Sequence, residues 1–182
     1  ETVGTTTAPA VSALSSGQLL VWSNPGATGL FVGLFAQQMS PWTHIGVISV
    51  EPDGVFVYDA NASLQISTSG PATASGGGVQ RIAYSAYVDS DRIYGLYSPP
   101  PGVDVDTLLS FVRAHHRQHT PFDPRYDSGD ASALYCSELL ALGFAAVGAE
   151  PLQPVPVRRN RSYDRLRRWL GVSSGGFYLP GQ

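Results

Sequence analysis

One cysteine, one histidine far upstream of it and one aspartate in between carry the chemistry this chain could do. Cys136 is the only cysteine among 182 residues. It stands in Ala133-Leu134-Tyr135-Cys136-Ser137-Glu138-Leu139-Leu140-Ala141-Leu142-Gly143-Phe144-Ala145-Ala146-Val147-Gly148, where positions 136, 139, 140, 143, 144 and 147 follow helical spacing. The spacing predicts a helix with Cys136, Leu139, Leu140, Phe144 and Val147 facing inward and Gly148 as its left-handed cap. Asp130 and Ser132 both suit the N-cap, so Cys136 falls within the first turn or so whichever is used. Unpaired N–H groups and the positive end of the helix dipole favour a thiolate there, the more so beside a cationic imidazole. The same residue would serve equally well as a small buried hydrophobe, so a base has to be found elsewhere.

The base comes from the clearest hairpin in the chain. His44-Ile45-Gly46-Val47-Ile48-Ser49-Val50 and Val55-Phe56-Val57-Tyr58-Asp59-Ala60-Asn61 are β-rich and joined by Glu51-Pro52-Asp53-Gly54, a turn with Pro second and Gly last. If Val50 pairs with Val55, partner numbers sum to 105, and His44, Asp59 and Asn61 project from one side of the sheet. Asp59 then lies diagonal to His44 and can accept its Nδ1–H, leaving Nε2 free as a base. A one-residue bulge would move the set to the other face.

The remaining elements must position these groups. Residues 18–22 read as a strand, 28–39 as a helix ended by Pro41, and 79–84 and 92–97 as further strands. Residues 63–78, rich in Ser, Thr, Gly and Ala, read as a long surface loop. After Pro99-Pro100-Pro101-Gly102, Asp104 begins a helix with Val105, Leu108, Leu109 and Val112 in register, ending near His115 to His119. His115 and His119 have a spacing that could suit a metal, but no acidic or cysteine ligand stands near them in sequence, and cationic groups commonly occupy helix C-termini; no metal or cofactor is expected. In the turn-rich stretch 120–130, Asp123, Tyr126 and Asp127 could contact substrate, although Asp before Pro or Gly is first a turn former. Pro151, Pro154 and Pro156 hold an extended connection to a short helix over 163–170, and Phe177 and Tyr178 could dock on the body.

Composition limits the function classes. Hydrophobic residues at 43% and charged residues at 14% describe an ordinary globular domain, expected over 16–182 behind a flexible linker of 1–15. That linker is of the kind an exported protein keeps after its leader is removed, which points to a secreted or cell-envelope protein. All eleven basic residues are arginine and the net charge is −3, which argues against general affinity for nucleic acid. The basic tail, Arg158-Arg159-Asn160-Arg161 with Arg165, Arg167 and Arg168, reads as a solvated helix face before it reads as an anion-binding surface. The longest apolar run near the N-terminus, residues 29–36, falls far short of the roughly 20 residues of a transmembrane helix.

The local wording resembles the circularly permuted branch of the NlpC-type papain-like hydrolases, the YiiX-like group. The matching stretches are Ser16-Gly17-Gln18-Leu19-Leu20-Val21, Thr43-His44-Ile45-Gly46-Val47-Ile48, Val57-Tyr58-Asp59-Ala60, Pro121-Phe122-Asp123 and Tyr135-Cys136-Ser137-Glu138-Leu139. The group more often carries Glu at the position of Asp59 and Asp at that of Gln18. The resemblance implies an α+β fold, a small antiparallel sheet or barrel packed by helices, with Cys136 as nucleophile, His44 as base and Asp59 as orienter. Tyr135, Asp123, Tyr126 and Asn61 stand as candidate substrate contacts. The implied activity is hydrolysis of an amide or peptide bond, plausibly in bacterial cell-wall peptide. Thioester chemistry on lipid and a non-catalytic binding domain are the alternatives.

Overall fold

In the computed structural model the described residues are 7–23, 42–64, 74–90, 92–150, 152–156, 164, 165, 168, 176 and 178–180. The helix expected over 28–39 and Phe177 lie outside them; of the tail helix expected over 163–170, Asp164, Arg165 and Arg168 are described and are helical. Five strands, β1 Leu19–Ser23, β2 His44–Glu51, β3 Gly54–Leu64, β4 Ala74–Ala83 and β5 Ile93–Tyr97, form one antiparallel sheet in the order β4-β3-β2-β1-β5. It is an open sheet and not a barrel. Three helices accompany it: α1 Tyr84–Tyr87, α2 Val105–Arg117 and α3 Cys136–Ala146.

The hairpin forms in the register its turn residues and alternation dictate, from Glu51↔Gly54 to Val47↔Tyr58. The sheet's irregularity falls instead between β3 and β4, at Ala62/Leu64. On β1, Trp22 pairs with His44 and Val21 with Ile45, so alternation divides the core in two. Val21, Ile45, Val47, Tyr58 and Ala60 pack with Leu108, Leu109 and Val112 of α2 and with Cys136, Leu139, Leu140 and Phe144 of α3. Leu20, Trp22, Ile48 and Val57 pack with Tyr84, Tyr87 and Tyr94.

Two expectations are corrected. Glycines 76–78, expected in a surface loop, belong to edge strand β4. Gly78 is needed there because a Cβ would stand 2.3 Å from the Thr120 carbonyl, which accepts the Val79 N–H at 2.9 Å. The end of the expected linker is docked: residues 11–13 make a 3-10 turn, Leu14 is buried, and the Pro9 carbonyl accepts the Tyr84 hydroxyl at 2.6 Å. Helix α3 starts at the far end of the expected range, Asp130 to Tyr135, with Cys136 in its first turn as expected. Leu134 is drawn into an isolated bridge with Phe122, its N–H donating to the Pro121 carbonyl at 2.9 Å, and Asp130 accepts the Ser132 N–H in a local turn. The chain is therefore extended up to Tyr135, the N-cap residue, and Cys136 is the first helical residue.

At the turn end of the hairpin, Glu51 collects two bonds from Arg81, at 2.7 and 3.1 Å, and others from Ser49, Tyr58 and Arg113, tying the turn to β4 and α2. Burial alone would raise the Glu51 carboxyl, but the Arg81, Ser49 and Tyr58 bonds outweigh it and bring the pKa from 4.5 to about 2. A carboxylate depressed in this way contributes stability that is complete above pH 4.5 and is lost as the pH falls through about 2. Glu51→Gln is expected to lower stability at neutral pH and to flatten the acid side of the stability curve over that window, as measured by urea denaturation at a series of pH values.

Gly46 sets a second test. A Cβ there would meet Val57 Cγ1 at 2.6 Å and Asp59 Cβ at 3.3 Å, beneath the candidate site. Gly46→Ala is expected to cost about 1–3 kcal/mol by overpacking, and an unchanged denaturation midpoint would contradict the tight packing described.

Candidate active site

The hairpin and the start of α3 bring His44, Asp59 and Cys136 to one point. His44 is the first residue of β2 and Asp59 lies on the adjacent strand, both buried, with His44 Nε2 and Asp59 Oδ2 2.7 Å apart. The expected roles of the two ring nitrogens are thus exchanged. Nε2 faces the carboxylate, which leaves Nδ1 as the nitrogen for the Cys136 sulfur, to which the imidazole is hydrogen-bonded. The ring plane is set by Trp22, across the β1–β2 ladder, whose ring centroid lies 4.8 Å from that of the imidazole.

The electrostatics favour the charged pair. Burial opposes a thiolate at Cys136, but the His44 charge and hydrogen bond, with the Ile45 backbone N–H donating to sulfur, bring the thiol below its ordinary value. Burial likewise opposes an imidazolium, and the Cys136 and Asp59 charges override it, raising His44 above its ordinary 6.5. Glu138, in the first turn of α3, does not add a second negative charge at neutral pH. It is 1% exposed, and burial, followed by the neighbouring Asp123, Asp127 and Asp130, pushes it up to about 8 against a bond from the Tyr135 backbone N–H.

The other candidate residues are placed differently. Asp123 is buried and accepts the backbone N–H groups of Arg125, at 2.8 Å, and Asp127, so it builds its own loop. The Tyr126 ring packs on Tyr135, with centroids 5.1 Å apart; its phenol is raised first by burial and then by the Cys136 and Asp123 charges. Tyr135 is buried, and its hydroxyl accepts the Tyr178 N–H at 2.9 Å rather than facing a cleft. Asn61 is half-buried on β3 opposite Gly78, on the face that carries Asp59. The His115 Nδ1 is taken up by Thr120 Oγ1 at 2.9 Å.

Three features were missed. Ser137 donates to the Tyr178 carbonyl at 2.8 Å, so hydroxyls on both sides of Cys136 hold the two backbone groups of one residue of the C-terminal segment. Tyr87 lies against His44, its ring centroid 6.5 Å from the imidazole. A cavity of about 310 Å³ is lined by Val21, Leu140, Phe144 and Leu179 together with Ile45 and Ser137, the chain neighbours of His44 and Cys136. The flanking of His44 by Ile45 and of Cys136 by Ser137 was the one sequence signal that could have located it.

An open antiparallel sheet with the histidine strand ahead of the cysteine helix defines the class, an α+β fold. No known family model matches the chain, and no curated protein matches it. Among solved structures it matches the crystal structure of YiiX from Escherichia coli O157:H7, a protein described as a metalloprotein. The TM-score is 0.62 at 12% identity, over 89% of this chain and 85% of that one. The chain has the YiiX-like fold.

The pair can be tested without a substrate. Alkylation of Cys136 by iodoacetamide is expected to titrate below the free-thiol range of about 8.5. His44→Ala removes the cation and leaves the burial, so the midpoint should rise to the free value or above it.

Proposed function

We propose that the protein is a thiol hydrolase that cleaves an amide or peptide bond through an acyl-thioester on Cys136. The observation that carries the reading is the His44 imidazole, bonded on one side to buried Asp59 and on the other to a cysteine that is the first residue of a helix. In this reading the thiolate attacks the carbonyl carbon and a C–S bond forms. The oxyanion meets the Cys136 backbone N–H, which the helix start leaves without an intrahelical partner. The His44 imidazolium gives its proton to the leaving nitrogen as the C–N bond breaks. Water then attacks the thioester, His44 takes its proton, and the acid leaves with the thiol restored.

Cell-wall peptide in the bacterial envelope remains the first substrate reading. The cavity favours a second, an apolar acyl group on lipid, because its lining is mostly aliphatic and aromatic, with Ser98, Ser137 and Glu150 as its polar members. Among the described residues no helix is long and apolar enough to cross a bilayer.

The metal implied by the description of YiiX as a metalloprotein does not fit the donors found among the described residues of this chain. Among the described residues no three His, Cys, Asp or Glu side chains converge, and both ring nitrogens of His44 are committed, one to Asp59 and one to Cys136. No step here runs through a metal.

Peptidoglycan fragments and medium-chain acyl esters offered side by side test the reading. One of the two sets should turn over, with Cys136→Ala reducing the rate by ~10³-fold or more and His44→Ala by roughly 10²–10⁴-fold. Turnover unaffected by Cys136→Ala would overturn the thiol mechanism.

A further inference from the structure

The Asp59 carboxylate is engaged at one oxygen only. Oδ2 meets His44, while Oδ1, in a side chain with no exposed surface, has no hydrogen-bond partner of ordinary geometry. A buried carboxylate oxygen left in this way is costly unless a donor reaches it. The Tyr87 hydroxyl is the group that bears on it. Tyr87 is buried and its oxygen accepts the Trp22 indole N–H at 3.1 Å, so its own hydrogen must be directed elsewhere. Burial first, and then the Asp59 charge, hold the phenol well above its ordinary range, so the hydroxyl keeps its proton wherever the site could work.

The support behind Tyr87 is continuous. The Arg92 guanidinium stacks on Trp22 at 4.1 Å from the ring centroid and donates to the Tyr87 carbonyl at 3.4 Å. The Trp22 and Tyr87 rings both pack on the imidazole. The ionisable groups facing this point are His44 from β2, Asp59 from β3, Cys136 from α3 and Arg92 ahead of β5, with Tyr84 and Tyr94 in the same apolar cluster.

We propose that Tyr87 is a positioning residue of the triad: its hydroxyl, aimed by the Trp22 indole, donates to Asp59 Oδ1 and fixes the carboxylate in the orientation that meets the imidazole. Catalytic hydrogen bonds of this kind often form fully only once substrate fills a site. Without that donor the carboxylate is no longer held in the orientation that meets His44 Nε2. The imidazolium then loses its support, and the thiolate is lost with it.

The inference rests on the thiol reading, and one experiment separates the two. The rate of Cys136 alkylation is followed against pH in the wild type, in Tyr87→Phe and in Trp22→Phe, with thermal melting to verify the fold. Tyr87→Phe is expected to move the acid midpoint upward by about one pH unit, which is ~10-fold less thiolate below it, and Trp22→Phe by less in the same direction. A purely structural role would lower the melting temperature and leave the midpoint in place, and that result overturns the proposal. Should Tyr87→Phe fail to fold, Trp22→Phe decides: an upward shift supports the proposal and an unmoved midpoint overturns it. A wild-type thiol titrating at the free value sinks the thiol reading and this inference together, whereas a depressed wild-type thiol with unmoved variants sinks the inference alone.

Discussion

A buried carboxylate and a buried imidazole sharing a 2.7 Å bond is the constraint from which the rest of this molecule follows. Neither group is stable as an ion in an apolar setting unless the other is held at the right distance and angle. The β2–β3 ladder supplies that placement, because its register carries both side chains on one face, and a slip of one residue would part them. The strand on the other side of β2 supplies Trp22, which sets the ring plane. The third partner, the sulfur, need only arrive at the open end of the imidazole, and the first residue of α3 does so.

What the sequence made legible is what neighbouring residues decide. The hairpin was readable because Pro52 and Gly54 mark the turn and the flanking residues alternate. The α3 helix was readable from its period and from Gly148, which sits at φ 74° as a cap should. The nitrogen facing Asp59 was not readable, since the ring plane is set by Trp22, 22 positions before it on another strand. The start of α3 was readable only to within Asp130 to Tyr135, because Asp130 and Ser132 are good caps locally, while the Leu134–Phe122 bridge that selects Tyr135 is tertiary. Glycines 76–78 read as a loop because their reason for being small is the Thr120 carbonyl, 42 positions away from Gly78. Tyr135 looked like a substrate contact for the same reason, its partner Tyr178 lying far along the chain.

The charge balance around the start of α3 also depends on burial. Glu138 lies two residues from Cys136 and would oppose a thiolate if ionised, but with 1% exposure and acidic neighbours it keeps its proton at neutral pH. The negative charge of the site is thereby confined to the sulfur and Asp59, with the imidazolium between them. On the flank, Ser137 and Tyr135 grip the backbone of Tyr178, so one side of the nucleophile is roofed by the chain itself.

The hairpin register has a further consequence. An unfolded cysteine titrates at its ordinary value, whereas the thiol beside His44 is held below it only while β2 and β3 remain in step. Labelling by a soft electrophile at mildly acid pH would therefore take a census of native molecules, reporting the integrity of the sheet from a single atom at the end of a helix.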